Sequence, residues 1–340
     1  MIVAVTLILT AVFAFPLIAR LMGGSSPVRT PLAAFAPVAA LVAVAATVIA
    51  VDVRWWLAAL LAIPTAFLVR WQLPPGRRPS PRRALASDPA AADAETVIIR
   101  FLTLNALVGR ASPAAIVSQV RQLQPDVLAV QELTPELAGS LAEAGLPELL
   151  PFSRLNPGPS STGIGLWSRR PLSQLPPVPG TRSTMPRAQL DVGWPITITV
   201  VHPPAPLRGG QPGWQQDMDR LLTALTGTTG QQMVAGDFNA SRDHGAFRRL
   251  LAAHLIDCAD AAQRRPWPGF TWPANRRFPP VMRLDHILVT RAGVMVRETR
   301  TVAIPGTDHL GVLAVIALRP IRSDGWASSR RNAWSAGHAE

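Results

Sequence analysis

The chain of 340 residues contains no lysine, no tyrosine and a single cysteine, Cys258. One cysteine excludes a disulfide scaffold, and it leaves the compartment open, because a disulfide-free protein folds on either side of a membrane. Without lysine, all 33 basic residues are arginine, and the lysine-rich surface that a DNA-tracking enzyme normally presents is missing. Charge as a whole is scarce at 16% of residues, while 48% are apolar and the mean hydropathy is positive. That apolar content excludes chain-wide disorder and is high for a wholly soluble protein, so membrane segments are expected. The length allows about two units of roughly 150 residues. The formal charge is +12.

Hydrophobicity is concentrated at the front. Residues 2–19 carry no charge, residues 31–51 end just before Asp52, and a third run extends from Trp55 to Val69. The first two reach the ~20 residues of a membrane helix. The third falls short, and it spans only if Arg70 snorkels and Trp55, Trp56 and Trp71 sit at the interfaces. Residues 1–71 therefore form a membrane region of about three helices, with two as the alternative. A cleaved signal peptide is disfavoured, since the first run lacks a basic leading segment. Residues 72–96 mix prolines with Arg77, Arg78, Arg82 and Arg83 as a linker, and residues 322–340 have the composition of a disordered tail. Between them, residues 97–321 hold 22 basic and 15 acidic residues, which is +7 of the +12.

Short β-type runs dominate that central part. Strands are predicted at 97–105, 127–132, 163–168, 188–193, 195–201, 232–237, 285–290, 294–303 and 311–318, with a helix near 113–123. Many strands with few helices between them suggest two packed sheets covered by helices. No repeat of 20 to 50 residues is present.

Polar residues recur where these strands end. Asn105 ends LTLN, Glu132 ends VLAVQE, His202 ends ITVVH, and Asp237 and Asn239 close VAGDFN; Asp285 opens DHILV, and Asp308 with His309 precedes LGVLAVI. Any one of them alone reads as a turn former or a structural histidine. Their repetition at strand ends points to one rim. In order, LTLNAL, VLAVQEL, GIGLWSRRPL, the strand ending at His202, AGDFNA, RLDHILVT and GTDHLGV resemble the endonuclease/exonuclease/phosphatase superfamily across residues 102–312.

The resemblance implies an α/β fold: a four-layer α/β sandwich of two mixed β-sheets flanked by helices, with the site at one end of the sheets. It implies metal-dependent phosphoester hydrolysis, a reaction that needs neutralised phosphoryl charge and an aligned water. Hard carboxylate oxygens suit Mg²⁺, or Mn²⁺, better than zinc. Glu132 is expected as the principal metal ligand, with Asn105 and Asp308 at the same ion. Asp237 would orient or deprotonate the attacking water, Asn239 would hold Asp237 and the phosphate, His309 would pair with Asp285, and His202 would donate to a phosphate oxygen. Either His309 or Asp237 takes the water's proton. His286 is read as structural, and His244 and His254 match no motif. Leu107 stands where many nucleases carry an acid. Arg264, Arg265, Arg276 and Arg277 flank a loop with Trp267, Phe270 and Trp272, read either as a wall around a phosphate with an apolar tail or as aromatics tucked onto the core.

A tethered enzyme samples the bilayer surface at high effective concentration, which favours a lipid phosphate over diffusing nucleic acid. Three apolar runs before such a domain are similar to the membrane proteins associated with vancomycin and teicoplanin resistance in actinomycetes, for which the implied activity is dephosphorylation of a polyprenyl diphosphate carrier outside the membrane. Expected partners are thus the lipid bilayer and a phosphorylated lipid, with nucleic acid as second choice and a non-catalytic binding protein as the alternative of another class. The positive-inside rule favours a cytoplasmic domain. The resemblance favours a cell-membrane protein with its catalytic domain outside, and that placement is preferred because the rule weakens for long translocated domains.

Overall fold

The computed structural model describes residues 18–20, 26, 28–53, 55–72, 96–207, 209–262, 264 and 269–321. Of the first apolar run, only its end lies among them, and most of the linker and all of the tail lie outside. After a short helix α1 (Arg29–Ala33) come α2 (Ala36–Val53) and α3 (Trp55–Gln72), each of 18 residues. At ~1.5 Å per residue such a helix is ~27 Å long, short of a ~30 Å hydrocarbon core. Among the described residues, no helix is long and apolar enough to cross a membrane. The two helices pack on each other, and the hydroxyls of Thr47 and Thr65 meet across the contact at 3.0 Å. Their outer faces expose Leu41, Val48, Ile49, Leu60 and Ile63. Ahead of α1, Arg20 pairs with Asp243 of the following domain.

Among its described residues, that domain has twelve strands with helices between some of them. In chain order these are β1 (Val97–Asn105), α4 (Pro113–Leu123), β2 (Val127–Gln131), α5 (Pro135–Glu143), α6 (Leu146–Leu149), β3 (Phe152–Asn156), β4 (Ile164–Ser168), β5 (Leu172–Leu175), β6 (Arg187–Asp191) and β7 (Pro195–Val201). They continue as α7 (Gln211–Gly227), β8 (Gln231–Asp237), α8 (Gly245–Ala252), β9 (Leu255–Asp257), α9 (Cys258–Ala261), β10 (Asp285–Thr290), β11 (Val294–Val302) and β12 (Gly311–Leu318). One six-stranded sheet runs β11-β12-β1-β2-β4-β3 and the other β5-β6-β7-β8-β10-β9. Both are mixed: β1 pairs with β2 and β7 with β8 in parallel, the other pairs being antiparallel.

The period-2 pattern of the strands explains the layering. On β1, Ile99 and Phe101 enter a core shared with Ile198, Val200, Met233 and Ile287 of the second sheet. Leu102 and Leu104 face the other way and pack with Ile116 and Val120 of α4. On the second sheet, Val234 and Leu288 turn outward to Trp214, Met218 and Leu221 of α7 and Phe247 of α8. Helix, sheet, sheet and helix give the expected four layers.

Register then sets the site. Asn105 lies opposite Gln131 at the end of β1 and β2, and Asp237 lies opposite Asp285 where β8 ends and β10 begins. Gly236, one residue earlier, permits the close approach of β7: a Cβ there would sit 2.0 Å from the Val201 carbonyl oxygen.

Candidate active site

Asp237 is the hub. Its Oδ1 accepts the Asn239 backbone N–H at 2.7 Å, and its Oδ2 accepts Asn105 Nδ2 at 3.0 Å. Two imidazoles approach the same Oδ2, His202 Nε2 at 3.7 Å and His309 Nε2 at 3.8 Å. These gaps exceed hydrogen-bond length.

Both rings are oriented from behind. His202 Nδ1 donates to the Ser161 carbonyl at 3.1 Å, because a carbonyl only accepts, and Nε2 is left facing Asp237 and, at 3.6 Å, Glu132. His309 Nδ1 lies 2.9 Å from Asp285 Oδ2. Burial opposes a charge on His309, but the carboxylates of Asp285, Asp237 and Asp308 outweigh it and its pKa is pushed up to about 10. The ring therefore holds its proton at neutral pH among these neighbours.

Glu132 follows β2 with φ 58°. Its Oε2 accepts the Val108 N–H at 2.6 Å and its Oε1 accepts Asn105 Nδ2 at 3.1 Å. Leu107 and Val108 also have positive φ, 48° and 51°. Left-handed backbone is rare for such residues and costs about 1–3 kcal/mol each, and here it surrounds one carboxylate.

Asn105 lies between the two carboxylates. Its Oδ1 accepts the Leu107 N–H at 2.9 Å, a contact that only oxygen can make, so Nδ2 is the atom turned to the carboxylates. In this arrangement Asn105 bridges Glu132 and Asp237 as a donor. Asn239 holds Asp237 through its backbone, and its side-chain amide donates to the Pro203 carbonyl at 3.0 Å.

Asp237, Asp285 and His309 form the tightest potential metal-binding group, with one ligand atom from each within 4.8 Å of the others. Their closeness has another cause, the hydrogen bond between His309 and Asp285. Unengaged oxygen is found both within this group and beside it: Oδ1 of Asp285 and Oδ1 of Asp308 are buried without a hydrogen-bond partner. Glu132, Asp237, Asp285 and Asp308 set four carboxylates against two imidazoles, a negative balance even with both rings protonated. Uncompensated charge of this kind is costly to bury, and a hard divalent cation satisfies it.

Other contacts were not evident from the motifs. Trp272 Nε1 donates to Asp308 Oδ2 at 3.0 Å. Thr307 Oγ1 donates to the Asn105 carbonyl at 2.7 Å and accepts the His309 N–H at 3.1 Å. The described part of the Trp-rich loop is divided between the site and the surface. Trp272 reaches the site, Arg264 hydrogen-bonds β11 through its backbone, Arg276 and Arg277 are exposed, and Arg265 and Trp267 lie outside the described residues.

Behind Asp285 lies a structural charge cluster. His286 places Nδ1 2.8 Å from Asp257 Oδ2 and Nε2 2.9 Å from the Ala240 carbonyl, and Arg283 reaches both Asp257 at 3.8 Å and Asp260 at 2.9 Å. Burial raises the Asp257 carboxyl, but Arg283 and His286 overcome this and hold it far below the usual range. Asp257→Asn is expected to cost about 3–5 kcal/mol, the range for breaking a buried pair. A depressed folded pKa contributes stability above the unfolded value of about 3.9 and loses it as pH falls toward the folded one. The gap between wild type and variant in thermal melts should therefore be full at pH 6 and narrow toward pH 2. His244 precedes α8 without a side-chain bond to it; its Nδ1 accepts the Ser241 N–H at 2.9 Å, and burial lowers its pKa to about 4. His254 packs with Gln232. Neither joins the site.

The sequence model of the Endonuclease/Exonuclease/phosphatase family matches residues 102–309. Among solved structures, TDP2 from D. rerio, complexed with a single-strand DNA product, is 17% identical over 64% of this chain and 98% of its own, with a TM-score of 0.53. The endonuclease/exonuclease/phosphatase from Bacteroides vulgatus is 17% identical over 66% and 100%, with a TM-score of 0.52. A family protein from Leptotrichia buccalis is 16% identical over 64% and 99%, with a TM-score of 0.51. At such identities the likeness is one of fold. No curated protein matches the chain.

Proposed function

Because this chain belongs to the endonuclease/exonuclease/phosphatase family, we propose that it is a membrane-anchored, Mg²⁺- or Mn²⁺-dependent phosphohydrolase that acts on a lipid phosphate, with its catalytic domain outside the cell membrane. The observation that carries the hydrolytic reading is the convergence on Asp237 Oδ2 of one amide and two imidazoles. Glu132 and Asp308 would hold the cation, and Asn105 keeps Glu132 and Asp237 apart at fixed distance. The cation would supply charge neutralisation at the phosphoryl oxygens.

Asp237 would orient a water and take its proton as the water oxygen bonds to phosphorus and the bond from phosphorus to the leaving oxygen breaks, the leaving oxygen keeping that electron pair and taking a proton from solvent. Asn239 and Asn105 hold the Asp237 carboxylate still for its proton transfer. His309, held by Asp285, faces the same Asp237 oxygen and would either donate to a phosphoryl oxygen or share the proton transfer with Asp237. His202 presents Nε2 to the same space.

The lipid reading is supported by the three apolar runs and by the exposed apolar residues on the faces of α2 and α3. To span, helices of this length would need a thinned bilayer, with Trp55, Trp56 and Arg70 at its edges. A second reading, hydrolysis of a nucleic-acid phosphodiester, draws on the fold shared with a TDP2 that holds a DNA product. The test sets polyprenyl diphosphate in vesicles, single-stranded DNA and an inositol polyphosphate side by side with the full chain. Phosphate release fastest from the lipid supports the first reading. Cleavage of DNA alone would replace it with the second.

A further inference from the structure

We infer that Trp272 is a positioning residue for the metal site: its indole N–H pins one oxygen of Asp308 so that the other stays turned toward the cation. The inference rests on the metal reading above and names a residue that the strand-end motifs do not include.

The geometry is local and complete. Asp308 Oδ2 accepts Trp272 Nε1 at 3.0 Å, while Oδ1 is buried with no hydrogen-bond partner. The nearest cationic group to Oδ1 is the His309 ring, whose Nε2 lies 3.9 Å away. A carboxylate held at one oxygen keeps its plane. Released, it is free to rotate toward that ring and away from the metal. Outer hydrogen bonds of this kind orient metal-binding carboxylates, and their loss typically weakens metal binding about 10–100-fold.

The indole is itself held in place. The Ala274 N–H donates to the Asp308 carbonyl at 2.7 Å and the Leu310 N–H to the Thr271 carbonyl at 2.9 Å, so the segment around Trp272 is laced to the one around Asp308. Thr271 Oγ1 also accepts the N–H groups of Leu284 and Asp285, at 3.1 and 3.3 Å. One loop thereby fixes Asp308 and the strand that carries Asp285.

The test is Mn²⁺ affinity of the full chain, measured by calorimetry without substrate, for wild type, Trp272→Phe, Asp308→Asn and the double variant. Phenylalanine keeps an aromatic ring and removes the donor. Trp272→Phe should weaken Mn²⁺ binding about 10–100-fold. The double variant should bind no worse than Asp308→Asn, because the indole acts only through that carboxylate. Should Trp272→Phe fail to fold, benzothienylalanine at position 272 replaces only the N–H by sulfur and should show the same loss. Unchanged affinity in the donor-free protein, or losses that add in the double variant, would overturn the inference while Asp308→Asn still shows the metal site to be real. Wild-type affinity in Asp308→Asn would overturn both this inference and the metal assignment.

Discussion

Asp237→Ala is expected to lower the turnover of phosphoester hydrolysis about 10³-fold, in the range that a positioned acid or base contributes, with little change in KM. The size follows from how much converges on this side chain. Alanine removes the acceptor for the Asn239 N–H and for Asn105 Nδ2, and it removes the carboxylate that both His202 and His309 face. The neighbouring carboxylates already have partners of their own, His309 for Asp285 and the Val108 N–H and Asn105 for Glu132. Steady-state kinetics on the best substrate of the panel measure the effect. Asp237→Asn separates charge from shape, and it should be nearly as slow as alanine, since an amide accepts no proton from water. A variant within tenfold of wild type would remove Asp237 from the reaction.

Glu132→Ala is expected to act through the metal. Loss of a principal ligand forfeits several kcal/mol of charge stabilisation, and at about 1.4 kcal/mol per factor of ten this gives a fall of about 10³-fold at low metal concentration. Unlike the Asp237 variant, this one should recover part of its rate as Mg²⁺ or Mn²⁺ is raised. The structure supplies the reason for a precise demand on this residue. Three left-handed backbone positions, Leu107, Val108 and Glu132, are spent on bringing one N–H to Glu132 Oε2. Strain of this kind persists where function over-determines the geometry. Metal titration of the rate distinguishes the outcomes: a reduced rate with an unchanged metal midpoint would show that Glu132 does not bind the ion.

Much of this was legible in the residue pattern, and the exceptions have physical causes. A strand with period-2 alternation that ends in an acid or amide announces a rim position, and Asn105, Asp237 and Asp285 lie at the ends of their strands. The pairing of His309 with Asp285 joins two motifs anticipated together. What stayed hidden depends on side-chain orientation or on loops. The orientation of Asn105 is decided by a single backbone N–H two residues on, which no spacing rule reveals. Trp272 meets Asp308 across 36 residues of chain through a loop without periodicity. Helix α7 carries Trp214, Met218, Leu221 and Leu225 at helical spacing, yet it opens with Pro212 and Gly213, which read as a turn. The edge strand β3 is largely exposed and β5 has four residues, so neither shows a clear alternation. Helix α3 extends to Gln72, beyond the apolar run that ends at Val69, because Arg70 and Gln72 are compatible with helix though not with lipid.

The most direct test of the central claim is phosphate release by the full chain from the substrate panel, with Mg²⁺ or Mn²⁺ and after chelation, in wild type and Asp237→Ala. Hydrolysis that chelation abolishes, that returns when metal is restored, and that Asp237→Ala reduces about 10³-fold is the predicted result. Hydrolysis that survives chelation, or that proceeds undiminished in Asp237→Ala, would contradict the account.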